Sequence, residues 1–313
     1  ADAGNRDAQE SRGLGDVYKR QDGDINWTQS GASTWVGIMQ TPQIPANHII
    51  VPSYSSLKNI GEYQFSLQGK SQHTLYPIPS PKDYNPQKET NEVSGHIDCW
   101  HTKSDIDIAE VRIKINQKSK PQDYLLTLSI RKLTKQHAAK IPNTNLKTNP
   151  PQRFSQKSKN KTIRDRICSP TATAMALSLS SDSIDWDEII DDCFDPATKA
   201  FGSWPLAIKS ATKYGFIGSV ETTESWEDAL KILATGQPLV CSIRFKEDEL
   251  KGAPLKQTQG HLVCVYGLED NKVLALDPAA EDSGNVERQY DLKEFSNAWL
   301  RERGAIYYFC HIE

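Results

Sequence analysis

Hydrophobic and polar positions alternate in short runs over residues 22–133. In EVRIKIN, Val111, Ile113 and Ile115 alternate with charged residues, which is the period-two pattern of a strand with one face in solvent. Similar runs, separated by clusters of Pro, Asn, Ser and Gly, are TWVGIMQ, HIIVPSY, YQFSLQG, HIDCWH and YLLTLSIRKL. Because no long helical pattern interrupts them, this half of the chain predicts an antiparallel β-sandwich domain.

From residue 153 onward the pattern becomes mixed. Helical periodicity occurs at 168–181, 204–214, 225–235 and 292–303. Strand patterns occur at 238–245, 261–268 and 272–277 and in the last run, AIYYFCHI. Helices that precede a sheet are typical of the α+β class, which we predict for a second domain over 153–313. Between the halves, residues 134–152 carry three prolines and no periodicity, so we predict a linker there.

The first 21 residues show no apolar periodicity. The segment RGLGDVYKRQ within them resembles translated adapter sequence, so we interpret residues 1–21 as a non-native leader without ordered structure. On this interpretation the native N-terminus is missing, and the lack of a signal peptide in the sequence says nothing about localisation.

Composition excludes several function classes. The 313 residues are 37% hydrophobic and carry a formal net charge of −3, with a pI near 6.2. This charge balance gives no reason to expect nucleic acid as a partner. No apolar run approaches the roughly 20 residues that a helix needs to cross a bilayer, so we predict no membrane span.

Six cysteines are widely spaced, without the C-x-x-C pairs typical of zinc sites or the density of a disulfide framework. Three of them, Cys241, Cys264 and Cys310, lie in apolar strand runs and are predicted to be buried thiols.

The run HIDCWH contains four side chains that can ligate metals. As one strand it would place His96 and Asp98 on one face and Cys99 and His101 on the other. We therefore predict no metal site there, and no cofactor for the chain.

Cys168 stands directly before Ser169 and Pro170, and small or straight apolar residues follow over 172–179. Proline is tolerated in the first turn of a helix, so the pattern predicts a helix that begins at or just before Cys168. The positive end of a helix lowers the pKa of a thiol from its usual value of about 8.5, and its free N–H groups donate to an oxyanion. The structural alternative is a small buried cysteine without a chemical role.

His261 opens one predicted strand and Asp277 ends the next, so a hairpin brings both to the same end of the sheet. A nucleophilic thiol needs such a base, and the base needs a group that orients it. A loop of two or four residues around 270–271 would pair Asp277 with Cys264, on the face opposite His261. An odd loop, or a bulge at Gly267, would turn Asp277 to the same face as His261.

The second half resembles a known family in four segments: ICSPTATAMAL, GQPLVCSI, GHLVCVYGLEDNKVLALDPAA and YDLKEFSNAWL. They are similar to papain-like cysteine peptidases of the family that includes bacteriocin-processing, double-glycine leader peptidases, and most similar to its family-39-like branch of exported bacterial proteins. The resemblance covers residues 153–311. It implies a papain-like fold, a peptide or protein substrate, no cofactor, and export to the periplasm, cell surface or exterior. HIIVPSYSSL and GHIDCWHTKSD are similar to a β-sandwich domain that precedes the peptidase in some exported members.

The resemblance also implies residue roles. In that family the cysteine is the nucleophile, the later histidine is the general base and acid, and the aspartate orients it; these roles carry over to Cys168, His261 and Asp277. A glutamine upstream supplies an oxyanion donor, and Gln156 is the match, although it lies twelve residues before the cysteine instead of the usual six. Ser169 replaces the glycine of the usual Cys-Gly-Pro, which we expect to narrow the cleft.

Other interpretations fit less well. A transglutaminase-like enzyme has its histidine much closer to the cysteine than the 93 residues found here. A cysteine-type cell-wall endopeptidase usually has a second histidine where this chain has Asp277, and serine catalysis by Ser169 is disfavoured because the thiol precedes it at the helix start.

The alternative from another class is a non-catalytic or weakly catalytic exported binding protein, whose β-sandwich binds carbohydrate or a surface protein. Cys168, His261 and Asp277 occurring together favour the peptidase hypothesis.

Overall fold

The structure is a computed structural model that describes most of the chain. The described residues are 15–20 (backbone only), 25–58, 61–86, 89–107, 109–133, 140–301 and 303–311. All strand pairings reported for this part are antiparallel, and its α-helices all lie beyond residue 167. The chain therefore has a mixed α/β architecture with antiparallel sheets.

The described N-terminal half contains ten strands: β1 (Gly15–Arg20), β2 (Thr28–Gly31), β3 (Thr34–Thr41), β4 (His48–Ser56), β5 (Tyr63–Gln68), β6 (Gln72–Thr74), β7 (Val93–Gly95), β8 (Trp100–Thr102), β9 (Ala109–Asn116) and β10 (Tyr124–Lys132). They form two five-stranded sheets, ordered β1-β10-β4-β8-β7 and β2-β3-β9-β5-β6. One hydrophobic cluster contains side chains of both sheets, such as Ile50 and Leu128 of the first and Phe65 and Ile113 of the second. Residues of both sheets thus face one shared core.

Part of the expected leader is a strand. β1 pairs with β10 along its whole length, with Gly15 opposite Arg131. Residues 15–20 therefore do not fit the expectation of a leader without ordered structure, whereas residues 1–14 and 21 lie outside the described residues. An edge strand takes its hydrogen bonds from the backbone of its neighbour, which needs no hydrophobic periodicity in the sequence.

The run HIDCWH is not one strand. The chain turns between β7 and β8, where the His96 N–H donates to the Cys99 carbonyl at 2.9 Å. This turn brings His96 Nε2 within 3.1 Å of His101 Nδ1, so the prediction that these side chains face opposite ways is wrong, because alternation holds only within a strand. Within the described residues, no group of three or more His, Cys, Asp and Glu side chains is placed to hold a metal ion.

The second half contains the remaining elements. They are β11 (Leu146–Lys147), α1 (Cys168–Leu177), α2 (Trp186–Asp192), α3 (Trp204–Ala211), β12 (Phe216–Thr222), α4 (Trp226–Ala234), β13 (Leu239–Phe245), β14 (Thr258–Glu269), β15 (Lys272–Leu276), β16 (Glu287–Asp291), α5 (Leu292–Leu300) and β17 (Ala305–His311). The sheet order is β12-β17-β13-β14-β15-β16, and β11 pairs with β14. Four elements, β11, α2, β12 and β16, are additional to those that the sequence pattern predicts. None of the described helices is long and apolar enough to cross a membrane.

A short strand lies inside the segment predicted as a linker. Leu146 pairs with Leu268 and Lys147 with Gly267. A Cβ added to Gly267 would lie 2.4 Å from the Lys147 Cβ, so only glycine allows this close approach. Part of 134–152 is thus bonded to the second-half sheet, while residues 134–139 lie outside the described residues.

The two halves contact each other through hydrogen bonds to strand β12. The backbone N–H groups of Gly218 and Val220 donate to the hydroxyls of Ser55 and Ser53, each at 3.1 Å. These serines lie on β4 and cover the open edge of β12, which would otherwise expose unpaired backbone groups.

Arg131 of β10 also joins the halves. Its guanidinium is almost fully buried and donates to the carbonyls of Thr223 and Leu300, at 2.9 and 2.8 Å. Gly304, with φ of +58°, passes so close that an added Cβ would lie 2.0 Å from Arg131 Nη1. The contact between the halves therefore depends on a glycine that ends the turn after α5.

Candidate active site

Cys168 is the first residue of α1, as the proline position predicts. Ile167 precedes it as the N-cap and provides no side-chain cap, so the first N–H groups of the helix remain available. The side chain of Cys168 is half-buried, whereas the remainder of α1 is buried against the core. The helix thus presents one partly accessible thiol at its positive end.

The register of the β14–β15 hairpin decides where Asp277 points. Asp270 and Asn271 form a two-residue turn, both with positive φ, and Val265 pairs with Ala275 whereas Gly267 pairs with Leu274. This shift is the bulge that the sequence offered as one of two solutions. His261 Nε2 consequently lies 2.7 Å from Asp277 Oδ1, and both side chains are buried.

Asp277 receives two further hydrogen bonds. The backbone N–H of Ala279 donates to Oδ1 at 2.9 Å, and the hydroxyl of Tyr290 donates to Oδ2 at 2.7 Å. Burial raises the pKa of Asp277, but the charge and hydrogen bond of His261, together with the other two donors, lower it below its ordinary value overall. The aspartate is therefore held ionised and in one orientation.

Sequence reasoning missed Tyr290. It lies on β16 and is 1% exposed. Tyr290 on β16 pairs with Val273 on the neighbouring strand β15. Its approach to Asp277 therefore depends on β16, a strand that the sequence pattern did not predict. Its alternation with the polar residues of VERQYD is the signal in the sequence that could have identified a strand with Tyr290 facing inward.

The electrostatics couple the thiol to the imidazole. Burial raises the pKa of Cys168, but contact with the His261 side chain, the charge of that ring and the Leu262 N–H lower it below its ordinary value overall. For His261, burial lowers the pKa and the Asp277 carboxylate raises it, with a net increase. Because Nε2 is bonded to Asp277, Nδ1 is the ring nitrogen left for the thiol. The arrangement favours a thiolate beside an imidazolium.

Gln156 begins a short 3₁₀ turn and is 4% exposed. Its backbone N–H donates to the Pro278 carbonyl at 2.9 Å, and the neighbouring Ser155 hydroxyl donates to the Ala280 carbonyl at 2.5 Å. These bonds hold Gln156 against the loop that follows Asp277. Its buried side-chain oxygen Oε1 has no hydrogen-bond partner among the described residues.

Ser169 does not narrow a cleft. It is fully buried, and its hydroxyl lies 3.2 Å from that of Tyr307 on β17. The expectation is wrong because the residue after Cys168 faces inward on α1 and meets the sheet. Sequence reasoning also missed Tyr307, a buried tyrosine that meets the residue after Cys168, since β17 reads only as an apolar run.

The other cysteines differ in exposure. Cys99, Cys193, Cys241 and Cys264 are buried, as predicted for the two on β13 and β14. Cys310 is exposed, so the prediction that it is buried is wrong: it lies near the end of β17, where the burial pattern fades towards the terminus.

Comparison with known proteins assigns the second half of the chain to a family. A sequence model described as the Peptidase_C39 like family matches residues 149–307, just over half of the 313-residue chain. The chain belongs to the Peptidase_C39 like family. Membership of the Peptidase_C39 like family points to cysteine peptidase chemistry on a peptide or protein substrate. The matched region contains Gln156, Cys168, His261 and Asp277.

Among solved structures, a crystal structure described as a C39-like peptidase from Bacillus anthracis is similar to this Peptidase_C39-like chain. It is 17% identical, with a TM-score of 0.41, and the alignment covers 55% of this chain and 100% of that chain. A search of curated proteins found no match.

Proposed function

We propose that this protein is a cysteine peptidase that hydrolyses peptide bonds with Cys168 as the nucleophile. In this proposal His261 is the general base and acid, and Asp277 orients it. Gln156 and the backbone N–H of Cys168 form the oxyanion hole. The observation that carries the proposal is the buried 2.7 Å bond between His261 and Asp277, next to a thiol at a helix start.

The chemistry proceeds by acyl transfer. The Cys168 thiolate attacks the peptide carbonyl carbon, and the carbonyl oxygen takes the negative charge near the helix N-terminus. Imidazolium His261 then gives its Nδ1 proton to the leaving amine as the carbon–nitrogen bond breaks. Neutral His261 next takes a proton from water, whose oxygen attacks the thioester. The carbon–sulfur bond breaks and releases the acid and the Cys168 thiolate, so that the thiolate–imidazolium pair is restored. Atoms and protons balance without a metal or cofactor.

The hydrogen bonds around Asp277 support this assignment of roles. The Nε2–H of His261 faces a carboxylate that two other donors fix, so the ring cannot turn without losing its partner. A fixed ring keeps Nδ1 directed at the thiol, which is the condition for efficient proton transfer.

Peptide profiling tests the proposal. A peptide library prepared from denatured protein is incubated with the wild type, with Cys168→Ala and with Cys193→Ala, a control at a buried thiol outside the site. We expect new peptide termini with the wild type and the control but none with Cys168→Ala. Cleavage that persists in Cys168→Ala would contradict the proposal.

The domain organisation is part of the proposal. We interpret the two sheets that share a core over 22–133 as a β-sandwich domain and 153–313 as a papain-like domain, joined through 134–152. Export, and contact of the first domain with carbohydrate or a surface protein, stay predictions from the sequence.

A further inference from the structure

A cavity of about 450 Å³ lies where the two halves of the chain meet. The first half lines it with residues of the β7–β8 turn and the end of β10, including Asp98 and Lys132. The second half lines it with Trp204 at the start of α3 and Arg303 after α5. The cavity is thus built jointly, although the family match covers only the second half.

Cationic side chains dominate its wall. They are Arg131, Lys132, Arg244, Arg301 and Arg303. Asp98 is the one carboxylate among the described residues that line the cavity, and it accepts a hydrogen bond from the Trp204 N–H at 3.2 Å. The wall therefore has an excess of positive charge.

Not all of these cations are available to a ligand. Arg131 is bonded to two carbonyls, with Glu224 Oε1 4.0 Å from its Nε, and the Nε of Arg244 donates to the Gln259 carbonyl at 2.8 Å. Arg301 and Arg303 are half-buried and form no ion pair with a carboxylate of the described residues. Lys132 is exposed, so solvent screens its charge. The two half-buried arginines therefore supply most of the charge that the cavity can offer.

The position of Arg303 is fixed by its neighbours. Its guanidinium lies over the Trp204 ring, 5.9 Å from the centroid. The pKa values of His96 and His101 are lowered, mainly by burial and then by nearby positive charges such as that of Arg303. These histidines are consequently neutral near pH 7, and the anion-binding capacity of the cavity resides in the arginines.

Packing and strand register connect the cavity with the candidate active site. Tyr307, whose hydroxyl lies 3.2 Å from that of Ser169, packs in the same hydrophobic cluster as Cys99 and Trp204, which line the cavity. On the other side, Arg244 follows Ile243, the residue of β13 that pairs with His261. The cavity is therefore linked to Cys168 and His261 through neighbouring residues of α1, β13 and β17.

We propose that this cavity binds the carboxylate of an Asp or Glu side chain of the peptide substrate, a few residues from the scissile bond. This inference rests on the proposed peptidase function and names its substrate class. The planar guanidinium matches a carboxylate with two parallel hydrogen bonds, and a cavity of this size holds one side chain with a few ordered waters.

Matched fluorogenic peptides test the inference. The two peptides of a pair differ at one position, which is Glu in one and Gln in the other. Separate pairs place this difference at successive positions on both sides of the scissile bond. We expect the wild type to prefer Glu at one position by about 10- to 100-fold in kcat/KM, the effect of a hydrogen bond to a charged group. Arg303→Gln and Arg301→Gln should each lower this ratio, and Arg303→Glu should favour a Lys peptide instead. Arg112→Gln, on the distant strand β9, is the control and should keep the ratio.

Binding provides a readout besides activity. In isothermal titration calorimetry with the Cys168→Ala variant, the Glu peptide should bind at least tenfold more tightly than the Gln peptide. The double variant Cys168→Ala, Arg303→Gln should bind the two peptides equally. Equal binding and cleavage of Glu and Gln peptides, with cleavage still dependent on Cys168, would overturn the inference and leave the peptidase proposal intact. Acetate that binds without any peptide preference would show a free-anion site and also overturn it. Loss of Cys168-dependent cleavage for every peptide, with the binding preference kept, would instead contradict the peptidase proposal.

Discussion

Tyr290→Phe is the substitution that most directly tests how Asp277 is held. It removes one hydroxyl and keeps the ring, so the packing of a side chain that is 1% exposed stays in place. The hydroxyl donates to Asp277 Oδ2 at 2.7 Å, and the other two donors both bind Oδ1. Without Tyr290 nothing among the described residues anchors Oδ2, and the carboxylate gains freedom to rotate.

The magnitude follows from the type of bond. A hydrogen bond to a charged group contributes about 1.5–3 kcal/mol. If the whole amount is lost from the transition state, kcat/KM falls roughly 10- to 150-fold at about 1.4 kcal/mol per decade. The same loss raises the pKa of Asp277, because the hydroxyl is one of the groups that lower it. The acid limb of the pH profile should therefore move to higher pH.

The assay is a double-mutant cycle on peptide cleavage. Tyr290→Phe is measured in the wild type and in Asp277→Ala, where it should cost less than about threefold, because its only partner at the site is gone. Tyr63→Phe is the matched control: Tyr63 is also 1% exposed, and its hydroxyl has no hydrogen-bond partner among the described residues. A full cost of Tyr290→Phe in Asp277→Ala, or no cost in the wild type, would refute the positioning role.

Three further predictions concern the site and its support. In a Cys310→Ser background, which removes the exposed thiol, iodoacetamide at pH 6 should alkylate Cys168 at least tenfold faster than any other cysteine; uniform labelling by peptide mass spectrometry would contradict the thiolate assignment. Gln156→Ala should keep fast alkylation but lower turnover about 10²- to 10³-fold, whereas Asp277→Ala should lower both; near-normal cleavage by Gln156→Ala would assign the donor elsewhere. Asp277→Asn should flatten the dependence of the melting temperature on pH. Because folding raises the pKa of His261, this residue stabilises the folded state fully below pH 6.5, its ordinary pKa, and the stabilisation is lost as the pH rises through the folded-state pKa. Because folding lowers the pKa of Asp277, this residue stabilises the folded state above pH 3.8, and the stabilisation is lost as the pH falls through its folded-state pKa. A wild-type and a mutant curve that run parallel between pH 4 and 9 would show that the pair is not coupled to folding.

Local pattern was sufficient for the elements that carry the chemistry. The helix start at Cys168 follows from Pro170 and the small apolar residues after it, because first-turn geometry depends on neighbours within one turn. Asp277 follows directly after β15 for the same reason, since alternation and turn residues are local signals. His261 does not open its strand as predicted, because β14 begins three residues earlier, at Thr258. These signals come from residues close together in the sequence, so they predict local structure only.

Contacts between distant segments decided the rest. The sequence left two registers open for Asp277, and the structure has the bulge at Gly267, where Lys147 of β11 packs too closely for any other side chain. Tyr290 meets Asp277 only because β16 joins the sheet. The arginine cavity needs two halves of the chain that touch through β4, β10 and β12. Periodicity records which face of an element is buried but not what covers it, since the covering residues lie far away in the sequence and are brought there by burial of apolar surface and by backbone pairing.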